Sequence, residues 1–266
     1  MCINLSGRYR AIYFLCLWGT LCLPKPAEAQ LREPAWSLSV QATYGNRFMV
    51  YKGNFSDRYK DSLGKADRGR DAIGGAITVS FQAGKRQRLY TGLQFHNFGF
   101  IRKKENLRFL DTIHPGIGIV NDLSQTGGAY VDFNYRYMYL SLPLLFSWQL
   151  SGKKLPNTSI HLIYGLSVSA LVHHDIRAVL HGFSTRGGQK IYPLNNSSGE
   201  PERINAILQG GFRIENALYG KETMVFVQPE LFVPAMTANR SSERHRLWAA
   251  AIQIGICYKP QSKTSK

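Results

Sequence analysis

The chain has 266 residues, with 33 Lys+Arg against 17 Asp+Glu and a formal charge of +16. Charged residues make up 19% and aromatics 12%, which excludes a disordered basic tail, because such tails are poor in aromatics. The length suits one large domain or two small ones.

The first thirty residues come first in chain order. Arg8 and Arg10 precede an apolar stretch, residues 11–23, which Pro24, Lys25 and Pro26 close before an Ala27-Glu28-Ala29 cleavage pattern. That is the organisation of a secretory signal peptide. Thirteen apolar residues reach roughly 20 Å as a helix, short of a ~30 Å hydrocarbon core, which argues against a membrane anchor. Neither Cys16 nor Cys22 follows the small-residue pair of a lipoprotein signal. Residues 1–29 are therefore expected to leave as a signal peptide. They take a net +2 with them through Arg8, Arg10, Lys25 and Glu28, and +14 stays on the rest. Cys2, Cys16 and Cys22 lie in the leader, so only Cys257 remains and no internal disulfide is expected. No His or carboxylate cluster has metal-ligand spacing, and no cofactor is expected.

Beyond the leader no stretch reaches eighteen apolar residues, so no transmembrane helix is expected. What recurs is alternation with period two, the signature of strands. The first run sets Trp36, Leu38, Val40, Ala42 and Tyr44 against Ser37, Ser39, Gln41 and Thr43. The second, 72–83, sets Ile73, Ile77, Val79 and Phe81 against Ala76, Thr78, Ser80 and Gln82. The third, 89–101, sets Leu89, Leu93, Phe95 and Ile101 against Gln94 and His96. The fourth, 130–149, is the longest, with Leu140, Leu142, Leu144, Phe146 and Trp148 against Tyr139, Ser141, Ser147 and Gln149. The fifth, 158–172, sets Ile160, Leu162, Tyr164, Leu166, Val168 and Val172 against Ser159, His161, Gly165, Ser167 and Ser169. The sixth, 204–215, sets Ile204, Leu208, Phe212 and Ile214 against Asn205, Gln209, Arg213 and Glu215. The seventh, 223–235, sets Val225, Val227, Leu231 and Val233 against Phe226, Gln228 and Glu230. The eighth, 246–258, sets Trp248, Ala250, Ile252, Ile254, Ile256 and Tyr258 against Ala249, Gln253 and Gly255.

Most of these runs are longer than ordinary strands of about 5–6 residues and match the about 9–11 that a tilted strand needs to cross a membrane. The connections run roughly 27, 4, 28, 8, 31, 7 and 10 residues. Short ones (84–87, 150–157, 216–222) alternate with long ones (including 45–71, 102–129 and 173–203), as the periplasmic turns and outer loops of an outer-membrane barrel do. Trp36, Trp148 and Tyr258 fall at one level and Tyr44 and Trp248 at the other, where interfacial girdles place their rings. The second face of each strand carries Ser, Gly, Gln and Thr and almost no Lys. That suits a crowded polar lumen better than a water-exposed sheet, so the apolar face is expected to meet lipid. The fold expected is all-β: a closed antiparallel transmembrane β-barrel of about eight strands over residues 30–258, with a polar C-terminal tail over 259–266. The chain is expected in the cell outer membrane.

The segment Tyr139-Leu140-Ser141-Leu142-Pro143-Leu144-Leu145-Phe146 resembles the Y-L-x-[IL]-P-L-L-[FL] strand of Bacteroidota-type outer-membrane barrels of the porin family, PorT-like proteins among them. The Ala-x-Ala site before Gln30, the following Tyr164-Gly165-Leu166-Ser167 strand and a last strand ending in Tyr258 fit that resemblance. It implies an outer-membrane barrel and, for PorT-like members, a part in a type IX-like protein-secretion pathway. The long basic outer loops and the tail depart from a minimal member. Pro143 has its own physical demand, because proline has no donor for a ladder and needs a bulge or a non-ladder position.

Eight strands leave an interior that side chains just fill, which disfavours a general diffusion pore. Glu215, Glu230, Arg213, His161 and His96 are expected as lumen groups that satisfy one another. His173-His174-Asp175 is expected to open the third long loop ahead of Ser184, a weak echo of outer-membrane lipid-modifying enzymes, which need a Ser within reach of an oriented His. No catalytic residue is assigned, and the chain is read as non-enzymatic. A soluble periplasmic lipocalin-like carrier is the other alternative. The dispersed positive charge carries no nucleic-acid motif. Arg102, Lys103 and Lys104 are expected at the outer rim, near lipopolysaccharide phosphates and outer-membrane lipids. Lys85, Arg86, Arg88, Lys153, Lys154, Lys259 and Lys263 are expected on the periplasmic side, where they could meet an acidic protein partner such as secretion machinery.

Overall fold

The computed structural model describes residues 34–51, 66–105, 113–114, 118–121, 130–150, 157–181, 184–185, 191–193, 201–218, 222–240 and 243–260. The expected leader and the end of the polar tail lie outside the described residues, as do Lys153, Lys154 and Lys263.

Eight long strands carry the fold: β1 (Ala35–Tyr51), β2 (Asp67–Gln82), β3 (Gln87–Glu105), β4 (Tyr130–Gln149), β5 (Thr158–His181), β6 (Ile204–Ala217), β7 (Thr223–Pro234) and β8 (Glu243–Tyr258). Each pairs antiparallel with its neighbour in sequence. β8 then pairs with β1 from Trp36↔Tyr258 to Tyr51↔Glu243. The ring is closed, and closure removes the unpaired edges that an open sheet would expose.

Alternation assigns the two faces. On β1, Leu38 and Val40 are 63% and 65% exposed, while Ser39 and Gln41 between them are 6% and 3% exposed. The same parity holds on the other strands: Leu142, Leu144, Leu166, Val168, Leu208, Ile214, Ile254 and Ile256 face outward, and Ser141, Ser167, Ser169, Gln209, Arg213 and Gln253 face inward. The outward apolar run from Trp36 to Tyr44, or from Leu140 to Trp148, covers roughly 20–25 Å along the barrel axis after strand tilt, the height of a hydrocarbon belt.

The strands run further than alternation of apolar residues suggested. β5 has 24 residues, roughly 60 Å of tilted strand, well beyond the belt. Residues 45–51, 67–71, 102–105 and 173–181, expected as loop, are barrel wall. Strand pairing does not require an apolar outer face once the wall leaves the hydrocarbon, so the apolar pattern ends before the ladder does. Residues 118–121 pair with 113–114 and with Ser184–Thr185, and Ile191–Pro193 pairs with β5 at Arg177–Val179. At the opposite end, which carries both termini of the barrel, residues 83–86 form a tight turn in which the amides of Ala83 and Gly84 both donate to the Gln87 carbonyl.

Pro143 is accommodated without a bulge beside it. The β3–β4 register stays constant, but the ladder skips Gly92 and Leu93 opposite Pro143 and Leu142. Gly92 takes φ 146°, and a Cβ there would collide with the Ile77 carbonyl oxygen of β2. The missing donor of proline and the conformational freedom of glycine thus fall at one gap. Two true irregularities lie nearer the loop end, in β2 between Gly69 and Gly75 and in the β4–β5 pairing at Met138/Tyr139. Gly92→Ala is expected to cost about 2 kcal/mol, read as a lower urea midpoint for unfolding from lipid vesicles, whereas Gly210→Ala, where a Cβ would meet the Ile163 carbonyl oxygen at an ordinary 3.9 Å, is expected to stay near wild type.

Candidate functional site

The lumen is built in two layers. Near the terminal end it is polar. Gln209 Nε2 donates to Gln94 Oε1 at 2.9 Å and to Ser167 Oγ at 2.6 Å. Arg213 Nη1 donates to Gln228 Oε1 at 3.3 Å, and Gln228 in turn donates to Gln253 and to Glu230. Gln253 donates to Ser39, whose hydroxyl donates to the Ala76 carbonyl at 3.2 Å. The hydroxyls of Ser141 and Ser169 share a hydrogen bond of 2.7 Å across β4 and β5. These side chains reach across a narrow interior from strand to strand, beside two small apolar clusters, Tyr90 with Leu145 and Ile163, and Ala35 with Met224, Phe226 and Cys257.

Glu215 is the hub of this layer. Its buried carboxylate lies 2.8 Å from Arg88 Nη1, 2.9 Å from Arg213 Nε, 3.5 Å from Lys259 Nζ and 3.6 Å from His161 Nε2. The Arg213 guanidinium also stacks 3.5 Å over the Phe226 ring. The five expected lumen groups are all inside, and three of them, Arg213, Glu215 and His161, meet at this hub. Glu230 joins through Gln228. His96 does not join: its ring packs between Phe98 and Phe232, at centroid distances of 5.4 and 4.8 Å. Arg88 and Lys259 lie at the terminal end, as expected, but there they turn into the barrel mouth, where they add two cations to the one that Arg213 brings to the buried Glu215 carboxylate. Lys85 and Arg86 stay exposed on the turn.

The half toward the loop end is aromatic, which the sequence reading missed. Phe98, Phe100, Tyr135, Tyr137, Tyr139 and Phe232 form one buried cluster with Ala249 and Ala251. Phe100 stacks on Tyr135 at 4.4 Å, and the Tyr137 hydroxyl and His245 Nδ1 share a hydrogen bond of 3.1 Å. Large rings come from β3, β4 and β7, and β8 packs Leu247, Ala249 and Ala251 into the same cluster. The signal was present as Tyr at 135, 137 and 139, an alternation of inward bulk within a segment read mainly for its outward leucines.

Above the rings, Arg47 lies 4.0 Å over Phe100 and its Nε donates to Asp67 at 2.8 Å. Arg102 Nε donates to the other oxygen of Asp67 at 3.2 Å. Arg102, Lys103 and Lys104, expected as one rim patch, are therefore split. Arg102 points inward, and Lys103, one residue on, lies 4.2 Å from the Tyr130 ring centroid. Beyond the barrel wall, a hydrogen bond from Arg240 holds the Glu202 carboxyl below the usual carboxylate range.

His173-His174-Asp175 lies within β5 and does not begin a loop. Strand alternation separates the two imidazoles: His174 packs on Tyr137 inside at 4.6 Å, and His173 is exposed outside. Asp175 is engaged by Arg177. Ser184 pairs through its backbone with Asn121. Among the described residues, no group of three or more His, Cys, Asp or Glu is placed to hold a metal ion.

No protein-family model matches the chain, and no curated protein does. Solved structures that resemble it include the outer membrane protein OprG from Pseudomonas aeruginosa, 10% identical, covering 87% of this chain and 98% of its own, with a TM-score of 0.42. The attachment invasion locus protein Ail of Yersinia pestis, in complex with the heparin analogue sucrose octasulfate, is 12% identical over 85% of this chain and 98% of its own, at 0.32. The outer membrane protease OmpT from Escherichia coli is 9% identical over 86% and 97%, at 0.37. These scores are low, and the fold assignment rests on the strand pairing of the chain itself. A closed eight-stranded ring with an apolar exterior and a polar and aromatic interior is a transmembrane β-barrel.

Removing the hub carboxylate leaves Arg88, Arg213 and Lys259 together without their shared anion. Glu215→Leu is expected to destabilise the barrel by about 3–5 kcal/mol, measured by urea unfolding in vesicles. Adding Arg213→Met is expected to recover part of that loss, which a double-mutant cycle reads directly.

Proposed function

We propose that the chain is a bacterial outer-membrane barrel without chemistry of its own, an anchor or scaffold that presents its loop end and its terminal rim to partners in a protein-secretion or surface assembly. One observation carries the reading: the lumen is filled by the Glu215 network and the aromatic cluster, while the outside is a bare apolar belt. A filled lumen supports no solute path, so activity is left to the rims. The outer membrane is favoured because short turns at the terminal end and long connections at the other follow the plan of barrels in that membrane. The expected leader supports export. The PorT-like pattern at Tyr139–Phe146 supports the secretion role. The non-enzymatic reading draws support from the separation of His173 and His174 to opposite faces of the wall.

The purified barrel inserted in planar bilayers is expected to give no stepwise ion conductance. Stable channels of uniform size would overturn the filled-lumen reading. For the secretion role, a deletion strain is expected to retain cargo in the periplasm, and normal cargo export would remove that role.

A further inference from the structure

The outward wall just beyond the apolar belt carries a cluster of arginines. Tyr135, Tyr137 and Ile176 point into the lumen, so strand alternation turns Arg136, Asp175 and Arg177 outward. Arg136 sits in register between Gly99 of β3 and Asp175 of β5. Arg177 Nε donates to Asp175 Oδ2 at 2.8 Å, and the Arg177 side chain is 54% exposed. Arg70 reaches across from β2. Its Nη1 donates to Asn97 Oδ1 at 3.2 Å, and its side chain lies over Gly99, within 3.0 Å of where a Cβ would stand. There it feels the charges of Arg136, Asp175 and Arg177.

Three guanidiniums thus share the neighbourhood of one carboxylate, which is bonded to Arg177, leaving two positive charges uncompensated within the cluster. The Arg136 Nε is buried and has no hydrogen-bond partner among the described residues. Arg136 lies four residues along β4 from Leu140, the last strongly exposed leucine of the belt, which is roughly 10 Å along the axis after tilt. That is the level of lipid headgroups. Guanidinium groups match phosphate with paired hydrogen bonds, and charge at a membrane surface is stable when it meets its counter-charge.

We propose that Arg70, Arg136 and Arg177 form a binding site for the phosphate of an outer-leaflet glycolipid, whose acyl chains lie against the belt beside Leu140 and Val172. This rests on the outer-membrane reading and names the site. The sideways aspect of the cluster selects a lipid: a ligand held there has the apolar wall directly beneath it. The Asp175 carboxylate holds Arg177 in place and keeps the site from being a diffuse basic surface.

The test uses the full chain extracted from membranes in detergent. Two probes are compared by native mass spectrometry: a bis-phosphorylated lipid A-type glycolipid and the same glycolipid with its phosphates removed. Wild type is expected to retain the phosphorylated form at about tenfold lower concentration than the stripped form. Arg136→Gln with Arg177→Gln is expected to abolish that preference, with heat-modifiable gel migration confirming that the barrel is folded. Equal retention of both glycolipids by wild type overturns the proposal without any variant. An unchanged preference in the folded double variant also overturns it. Displacement by inorganic phosphate at the concentration of the glycolipid marks a free-phosphate site and overturns the lipid assignment. Recovery of the chain as a soluble protein without detergent is a separate result, which refutes the membrane reading itself.

Discussion

Closure of eight strands into one ring is the constraint on which the rest of the structure depends. Once β8 pairs with β1, every residue of one parity is committed to an interior that side chains just fill, and every residue of the other parity to the outside. A slip of one residue on any strand would put leucines into the lumen and glutamines into lipid. The alternation therefore specifies register as well as face. It also explains why the wall tolerates its irregularities: the Gly92–Pro143 gap changes no register, and the bulges in β2 and β5 lie toward the loop end.

The filling of the lumen follows from the same geometry. Polar side chains there gain most by reaching one another, as Ser37 does with Thr78, Ser141 with Ser169, Gln209 with Gln94 and Ser167, and Gln253 with Ser39. Charges are tolerated where several converge. Glu215 meets Arg213 of its own strand and holds Arg88 and Lys259 from the ends of β3 and β8, so that residues that would extend into solvent on an open sheet become structural. Toward the loop end the interior changes solution, packing aromatic rings with Leu247, Ala249 and Ala251 in place of most of the hydrogen bonds. Arg47 and Asp67 cap that stack.

Alternation also redistributes the basic residues. A run such as Arg102-Lys103-Lys104 looks like one patch in sequence but divides between lumen and exterior. Conversely, Arg70, Arg136 and Arg177 are scattered over three strands, and only the pairing of β2, β3, β4 and β5 brings them onto one outward surface. The wall outside the belt is therefore chemically distinct from the belt although it is continuous with it in hydrogen bonding.

The eight strands, their faces and the tight turn at 83–86 were legible in the residues, because hydrophobic alternation is a local property that survives without knowledge of any partner. The inward placement of His96, His161, Arg213, Glu215 and Glu230 was legible for the same reason. Strand ends were not, since beyond the belt the ladder continues on backbone hydrogen bonds that leave no apolar signature at 45–51 or 173–181. The partners of Glu215, the aromatic layer, the division of Arg102 from Lys103 and the outward arginine cluster were decided only by tertiary structure. Each depends on which inward or outward positions of non-adjacent segments share a level around the ring. That is set by the register of each strand pair, which no single strand of the sequence contains.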